Sequence, residues 1–283
     1  MSFISANDAM AQPVSDAGGY GIGLRVFSAL VMVPVALGLA YAGGLAFNLL
    51  VLGLAALMAH EWNSLSSNGA MGIAAATGGA VVGCVGIAAL GYGDAGLAAA
   101  IPMAALTIAV AWLGGVRTFW PPLGVVYIAV PCIAVIWLRA APSLGLETII
   151  WLFAVVWATD IGAYFAGRGI GGPKLAPRIS PKKTWAGLGG GVVAAGAVGA
   201  VTASVLALPG SLALVLFSAG LAVVAQIGDL AESGVKRHFG AKDTSRLIPG
   251  HGGVLDRLDG LMTAAPVVAL VALISSEGAL VWR

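Results

Sequence analysis

The chain has 283 residues, 59% of them apolar and 9% charged, with a net charge of +2. A soluble domain carries roughly 25% charged residues, so this composition excludes a soluble monomer and makes the bilayer the solvent. It also lacks the basic surface that a nucleic-acid-binding protein needs, and its 42 glycines suit closely packed transmembrane helices.

Residues 1–24 are polar and Gly-rich and contain no Lys or Arg. Without a basic n-region they do not read as a cleavable signal peptide, so the first apolar run is expected to be a retained span after a cytoplasmic N-terminal segment. A span needs about 20 mostly apolar residues. That length places helices near 25–42, 44–60, 70–91, 95–113, 122–140, 147–167, 187–208, 211–232 and 259–280. The first two are parted only by Gly43-Gly44, so the expectation is an all-α polytopic membrane protein of eight or nine transmembrane helices. Residues 25–283 form one domain, with no convincing internal repeat. The turns "GYGD" at 91–94, "WPP" at 120–122, "APS" at 141–143 and "LPGS" at 208–211 fit short loops. Cys84 and Cys132 lie within apolar runs and read as packing residues, not as a disulfide or a metal site.

In chain order, the first polar feature is "AHEWNS", where His60 and Glu61 end the second span beside Trp62. They read as interfacial anchors, with Glu61 on the side where it could border a site. Next comes "RGIGGPKLAPRISPKKTWAG" at 168–187, which carries Arg168, Lys174, Arg178, Lys182 and Lys183 and no acid. A second basic segment after Gly234 holds Lys236, Arg237, Lys242, Arg246 and Arg257. The seventh and eighth helices lie between the two segments and are joined by an uncharged hairpin, so both segments emerge on one face. The positive-inside rule makes that face cytoplasmic. Arg25 and Arg117 fall on the same side, while Arg139 and Arg283 fall on the other. Contact with anionic lipid headgroups is the plain reading of such loops. Basic residues interleaved with Gly, Pro and Ser, as in "ISPKKTWAG" and "IPGHGG", also suit loops that cradle phosphate.

Acids within or bordering apolar spans are costly, which makes them functional candidates. Asp160 lies in the sixth span, Asp229 and Glu232 at the end of the eighth, and Asp256 and Asp259 at the start of the ninth. Each of the last two pairs has i,i+3 spacing and shares a helix face. Carboxylates on facing helix ends beside basic Gly-rich loops suit a hard cation, and Mg²⁺ usually arrives with substrate phosphates. Structural ion pairs of Asp256 or Asp259 with Arg237 or Arg257 are the other reading. His251 stands apart from His60 and His238, so a phosphate-binding or hydrogen-bonding role fits it better than a His-based metal site.

The stretch Ser233–Asp259, "SGVKRHFGAKDTSRLIPGHGGVLDRLD", closely resembles the signature of the phosphatidate cytidylyltransferases, or CDP-diacylglycerol synthases. Ser233, Val235, Lys236, Arg237, Lys242, Asp243, Ser245, Ile248, Pro249, His251, Gly252, Gly253, Asp256, Arg257, Leu258 and Asp259 all match it. "TDIGAYFAGRGIGG" and "ISPKKTWAG" look like the family's preceding segment, so the resemblance is strong over 155–260 and general elsewhere. It implies that CTP and phosphatidate give CDP-diacylglycerol and pyrophosphate, in phospholipid biosynthesis and with Mg²⁺. It also implies a second cation such as K⁺, with Asp229 and Asp256 as metal ligands. Beside these, Asp259, Lys236, Arg237 and His251 are expected catalytic residues, with Glu232 and Asp160 supporting the metal. Ser180, Lys182, Lys183, Thr184, Lys242, Asp243, Arg257, Gly252 and Gly253 are expected to bind substrate. Membrane lipids, a bacterial inner membrane, a cytoplasmic site and a homodimer complete the expectation. The "DGxxAR…GxxxDxxxD" pattern of CDP-alcohol phosphotransferases is absent. An ion-coupled transporter would place its acids nearer the midplane and show repeated halves.

Overall fold

The computed structural model describes residues 22–67, 69–115, 117–208, 211–245, 247–248 and 252–275, with side chains described from Leu30 onward. Its described residues form nine helices: α1 (Ile22–Ala42), α2 (Gly44–Ser66), α3 (Met71–Ala89), α4 (Gly93–Leu113), α5 (Trp120–Ala140), α6 (Gly145–Gly169), α7 (Trp185–Val205), α8 (Ser211–His238) and α9 (Leu255–Ile274). Eight of them, α2 to α9, are long and apolar enough to cross a membrane. The protein is therefore an all-α polytopic membrane protein.

The main departures from the hydropathy bounds are at the polar ends. Helix α8 continues past residue 232 to His238, and α9 starts at Leu255, four residues before its apolar run. Helical hydrogen bonding there persists beyond the hydrocarbon-length stretch, so Lys236 and Asp256 both lie on helix. The 168–187 segment, expected as a loop, contains an antiparallel ribbon of β1 (Lys174–Ala176) and β2 (Ser180–Thr184).

Helix α5 is the most buried of the candidate spans and packs against α2, α3, α4, α6 and α9. Its Val125, Ile128, Ala129 and Leu138 are fully enclosed. Large apolar residues elsewhere point outward, among them Ile101, Val193, Leu212 and Leu216, as the outer surface of a membrane protein requires. Helices α6, α7 and α8 form a second close-packed group through small residues. A Cβ on Gly162 would stand 2.6 Å from the Gly190 carbonyl, and one on Gly199 would stand 2.8 Å from that of Leu214. The Gly-rich stretch at 186–201 thus serves packing within the chain.

At the far end of the bundle, only Gly43 separates α1 from α2, with φ 63°. Arg139, in the last turn of α5, donates to the carbonyls of Ala40 at 2.6 Å and Tyr41 at 3.2 Å. A cation there satisfies the orphan carbonyls that end α1.

Candidate functional site

The polar end of the bundle gathers the C-terminal ends of α2, α6 and α8 and the N-terminal ends of α5, α7 and α9. Two details confirm that these ends meet. The Trp62 indole on α2 donates to the Trp120 carbonyl on α5 at 3.0 Å, and the Trp120 ring lies 4.9 Å from that of His238 on α8. The expected interfacial anchors of α2 are corrected here: Trp62 is 2% exposed and Glu61 is 0% exposed, and only His60 faces outward. Their positions inside the bundle reflect partners far along the chain, which hydropathy does not register.

Glu61 is the innermost element of the site. Its Oε1 accepts from the Ser245 hydroxyl at 2.6 Å and the Val254 N–H at 2.8 Å. Its Oε2 accepts from the Leu255 N–H at 2.8 Å and lies 3.1 Å from the Thr244 hydroxyl. One carboxylate from α2 therefore holds both flanks of the signature loop and satisfies N–H groups at the start of α9. Gly253 leaves room for it, since a Cβ there would overlap the Thr244 hydroxyl and stand 2.7 Å from Glu61 Oε2.

Asp256 sits beside this anchor, in the first turn of α9. Its Oδ2 accepts from the N–H groups of Thr244 at 2.9 Å and Gly253 at 2.8 Å, and lies 3.0 Å from the Thr244 hydroxyl. Its Oδ1 takes the Lys236 ammonium at 2.6 Å, and the same ammonium meets Glu232 Oε1 at 3.1 Å. Asp256 is thus ion-paired with Lys236, another of the expected catalytic residues. About two turns earlier on the same face of α8, Asp229 pairs with Lys183 at 2.5 Å and accepts from Ser233 at 3.3 Å. Asp259 Oδ1 accepts from the N–H of Gly260 at 2.7 Å. Gly228 and Gly260, each next to a carboxylate, let the helices close up. A Cβ on Gly228 would overlap Thr263 of α9, and one on Gly260 would stand 3.2 Å from Val156 of α6.

A cleft of ≈ 480 Å³ opens between α6, α7, α8 and β2. It is lined by Asp160 and Arg168 of α6, Lys182 and Lys183 of β2 and Asp229 of α8. Thr184 lines it as the N-cap of α7, its hydroxyl accepting from Gly187 N–H at 3.0 Å. The cleft thus meets the positive end of a 21-residue helix. Asp259 is within electrostatic reach of Asp229 and Asp160, and Glu232 within that of Asp256 and Asp259. Asp160 and Asp229 share the cleft, and Glu232 and Asp256 share the Lys236 ammonium.

The structure brings Asp160, Asp229, Lys182, Lys183 and Thr184 together in the cleft, with Glu232, Lys236, Gly253, Asp256 and Asp259 beside it. Ser180 begins β2, and Gly252 adopts φ 83° and bridges to Ile248. Arg257 is exposed in the first turn of α9, within reach of Asp160. Arg237, Lys242 and Asp243 are exposed near the end of α8 and in the loop after it, and Arg237 donates to the Ala241 carbonyl at 3.0 Å. His251 lies outside the described residues, as do Pro249, Arg246 and Arg283. Thr244 was not singled out from sequence. It lies within the signature stretch but is not one of its fixed positions.

The donor set fits a hard cation. Carboxylates of α6, α8 and α9 converge on this end of the bundle, and the buried Glu232 Oε2 has no hydrogen-bond partner among the described residues. Buried polar atoms are seldom left so. No three His, Cys, Asp or Glu side chains among the described residues are gathered as a ready cage. Ammonium groups provide the charge compensation at Asp229 and Asp256.

Fold and site together define a polytopic helical membrane protein whose polar groups converge, at one end of the bundle, on a cleft suited to phosphate and a hard cation. The model of the cytidylyltransferase family matches residues 23–275, and the chain belongs to that family. It is 43% identical to the phosphatidate cytidylyltransferase of Brucella suis biovar 1 (strain 1330) over 255 residues, covering 89% of this chain and 94% of that protein. It is 41% identical to the phosphatidate cytidylyltransferase of Bacillus subtilis (strain 168) over 155 residues, covering 54% and 58%. The chain is accordingly an enzyme, a nucleotidyltransferase of phospholipid biosynthesis.

Proposed function

We propose that the chain transfers the cytidylyl group of CTP to phosphatidate, giving CDP-diacylglycerol and pyrophosphate at the cytoplasmic face of a bacterial inner membrane. The observation that carries this reading is the cleft, where cations and a helix N-terminus face carboxylates at the membrane-end of the bundle. A soluble triphosphate and a lipid phosphate can meet only at such a level.

A phosphate oxygen of phosphatidate attacks the α-phosphorus of CTP, and the bond from that phosphorus to the bridging oxygen breaks as pyrophosphate leaves. Such transfers depend on positioning and charge stabilisation more than on covalent participation by the protein. Lys182, Lys183 and Arg168 neutralise the triphosphate, while the positive end of the α7 dipole orients it. Arg257 receives the lipid phosphate. It closes the polar end of an apolar groove lined by Phe47, Leu54, Met58, Phe153, Trp157 and Leu261. From Met58 to Phe47 this groove follows α2 for about 16 Å, taking 1.5 Å per helical residue, a depth that suits an acyl chain. Asp229 and Asp256 would hold Mg²⁺, with Asp160, Glu232 and Asp259 supporting them, and a second cation such as K⁺ fits the remaining negative charge. Bound there, Mg²⁺ supplies neutralisation at the attacking and leaving oxygens.

The test is the reaction itself. Detergent-purified protein given CTP, phosphatidate and Mg²⁺ should form CDP-diacylglycerol and pyrophosphate, and EDTA should stop it. No lipid nucleotide would sink the reading, and turnover that survives EDTA would sink its metal dependence.

A further inference from the structure

We propose that Glu61 is a positioning residue of the active site, acting from α2 on Asp256 through the signature loop. The role rests on the cytidylyl-transfer reading for its chemistry, but its geometry stands alone. Glu61 is fully buried and takes four donors, all from residues 244–255 and none from its own helix. The Thr244 hydroxyl stands between two carboxylates, 3.1 Å from Glu61 and 3.0 Å from Asp256, while the Thr244 N–H donates to Asp256. Whatever fixes Thr244 therefore fixes the carboxylate of Asp256. A buried charge is tolerated only where hydrogen bonds replace its water, and here the loop supplies them. Among the described residues of the loop, one backbone bridge joins Ile248 to Gly252.

Glu61→Gln is a sharp probe because each carboxylate oxygen receives one backbone N–H, from Val254 or from Leu255. Either orientation of the amide points an NH₂ group at a backbone donor, so the loop must shift. Outer-shell partners of a metal site typically contribute 10–100-fold, and about 1 Å of misplacement costs about 100-fold. Glu61→Gln should therefore lower kcat about 100-fold while KM for CTP, set by Lys182, Lys183 and Arg168 on other elements, changes less than about 3-fold. Glu61→Asp keeps the charge and should recover at least about tenfold of the loss. Amide hydrogen exchange at 244–255 should rise in Glu61→Gln while amides of α5 keep their protection, which a uniformly destabilised protein would not show. Thr244→Val keeps the other three donors to Glu61 and removes the shared hydroxyl, and should lower kcat about tenfold.

Near-normal kcat in Glu61→Gln overturns the proposal, as does an equal loss in Glu61→Asp with the loop amides still protected. If Glu61→Gln does not accumulate, Thr244→Val decides, and an unchanged kcat there overturns it. Failure of the cytidylyl-transfer reading looks different, because the unsubstituted protein would then make no CDP-diacylglycerol. The exchange measurement would still decide whether Glu61 holds the loop.

Discussion

At the scale of single residues, the site depends on how few donors each carboxylate can spare. Asp256 directs one oxygen at Lys236 and the other at the N–H groups of Thr244 and Gly253. In Asp256→Asn one of those oxygens becomes a donor, facing either the ammonium or two N–H groups, and neither arrangement is satisfied. Turnover should fall by about 100-fold or more, the upper range for groups that order a metal site. The apolar part of α9 is untouched, so the variant should still insert; radiolabelled CTP incorporation against the amount of membrane-extracted protein checks both. Near-normal turnover would remove Asp256 from the site. Asp256, Asp229 and Asp160 were all legible in the sequence, because an acid beside an apolar span is costly wherever its partners are. Glu61 met the same criterion but was assigned to the interface. Its donors lie 183 to 194 residues away, and no local pattern encodes a pairing across six intervening helices. The Lys236–Asp256 pair was hidden for a similar reason, since a lysine next to an arginine in a basic stretch looks like part of an anion site.

At the scale of elements, hydropathy located every span because each must cover the same hydrocarbon thickness. It was least informative where helix outlasts hydrocarbon, as at residues 233–238 and 255–258, and these ends carry Lys236 and Asp256. The β1–β2 ribbon was invisible for a different reason: "SPKKT" has no alternation of apolar and polar residues, and its pairing is local, Ala176 with Ser180 and Lys174 with Thr184. The glycines of α7 left the partner open, and the structure assigns them to neighbours in the same chain. Gly190 and Gly191 meet α6, and Gly199 meets α8. That seam positions the cleft, since α6 carries Asp160 and α7 continues from Lys183. Gly162→Ala would place a Cβ 2.6 Å from both the Gly190 carbonyl and the Ala194 Cβ. Backbone cannot yield as a flexible side chain can, so the helices must part, at an expected cost of about 1–3 kcal/mol. A lower thermal unfolding midpoint in detergent together with reduced kcat/KM for CTP is the expected result. Unchanged values of both would show that the seam does not set the cleft.

At the scale of the whole molecule, the proposed orientation rests on charge. Arg168, Lys174, Arg178, Lys182, Lys183, Lys236, Arg237, Lys242 and Arg257 all lie at the end of the bundle that holds the cleft, whereas Arg139 lies at the opposite end, engaged with α1. Such asymmetry in short loops governs insertion, and it supports the proposed cytoplasmic placement of the cleft. Cysteine labelling can test this with little background, because Cys84 and Cys132 are both buried. Ser180, at the start of β2, and Tyr92, 67% exposed in the turn between α3 and α4, mark the two ends. In intact cells a membrane-impermeant maleimide should modify Tyr92→Cys and leave Ser180→Cys alone, and in inverted membrane vesicles the preference should reverse. The two sites check each other, since lysis would label both and a buried thiol neither. Ser180→Cys labelling only from outside would put the cleft on the face away from CTP. The charge argument and the proposed reaction could not both stand then.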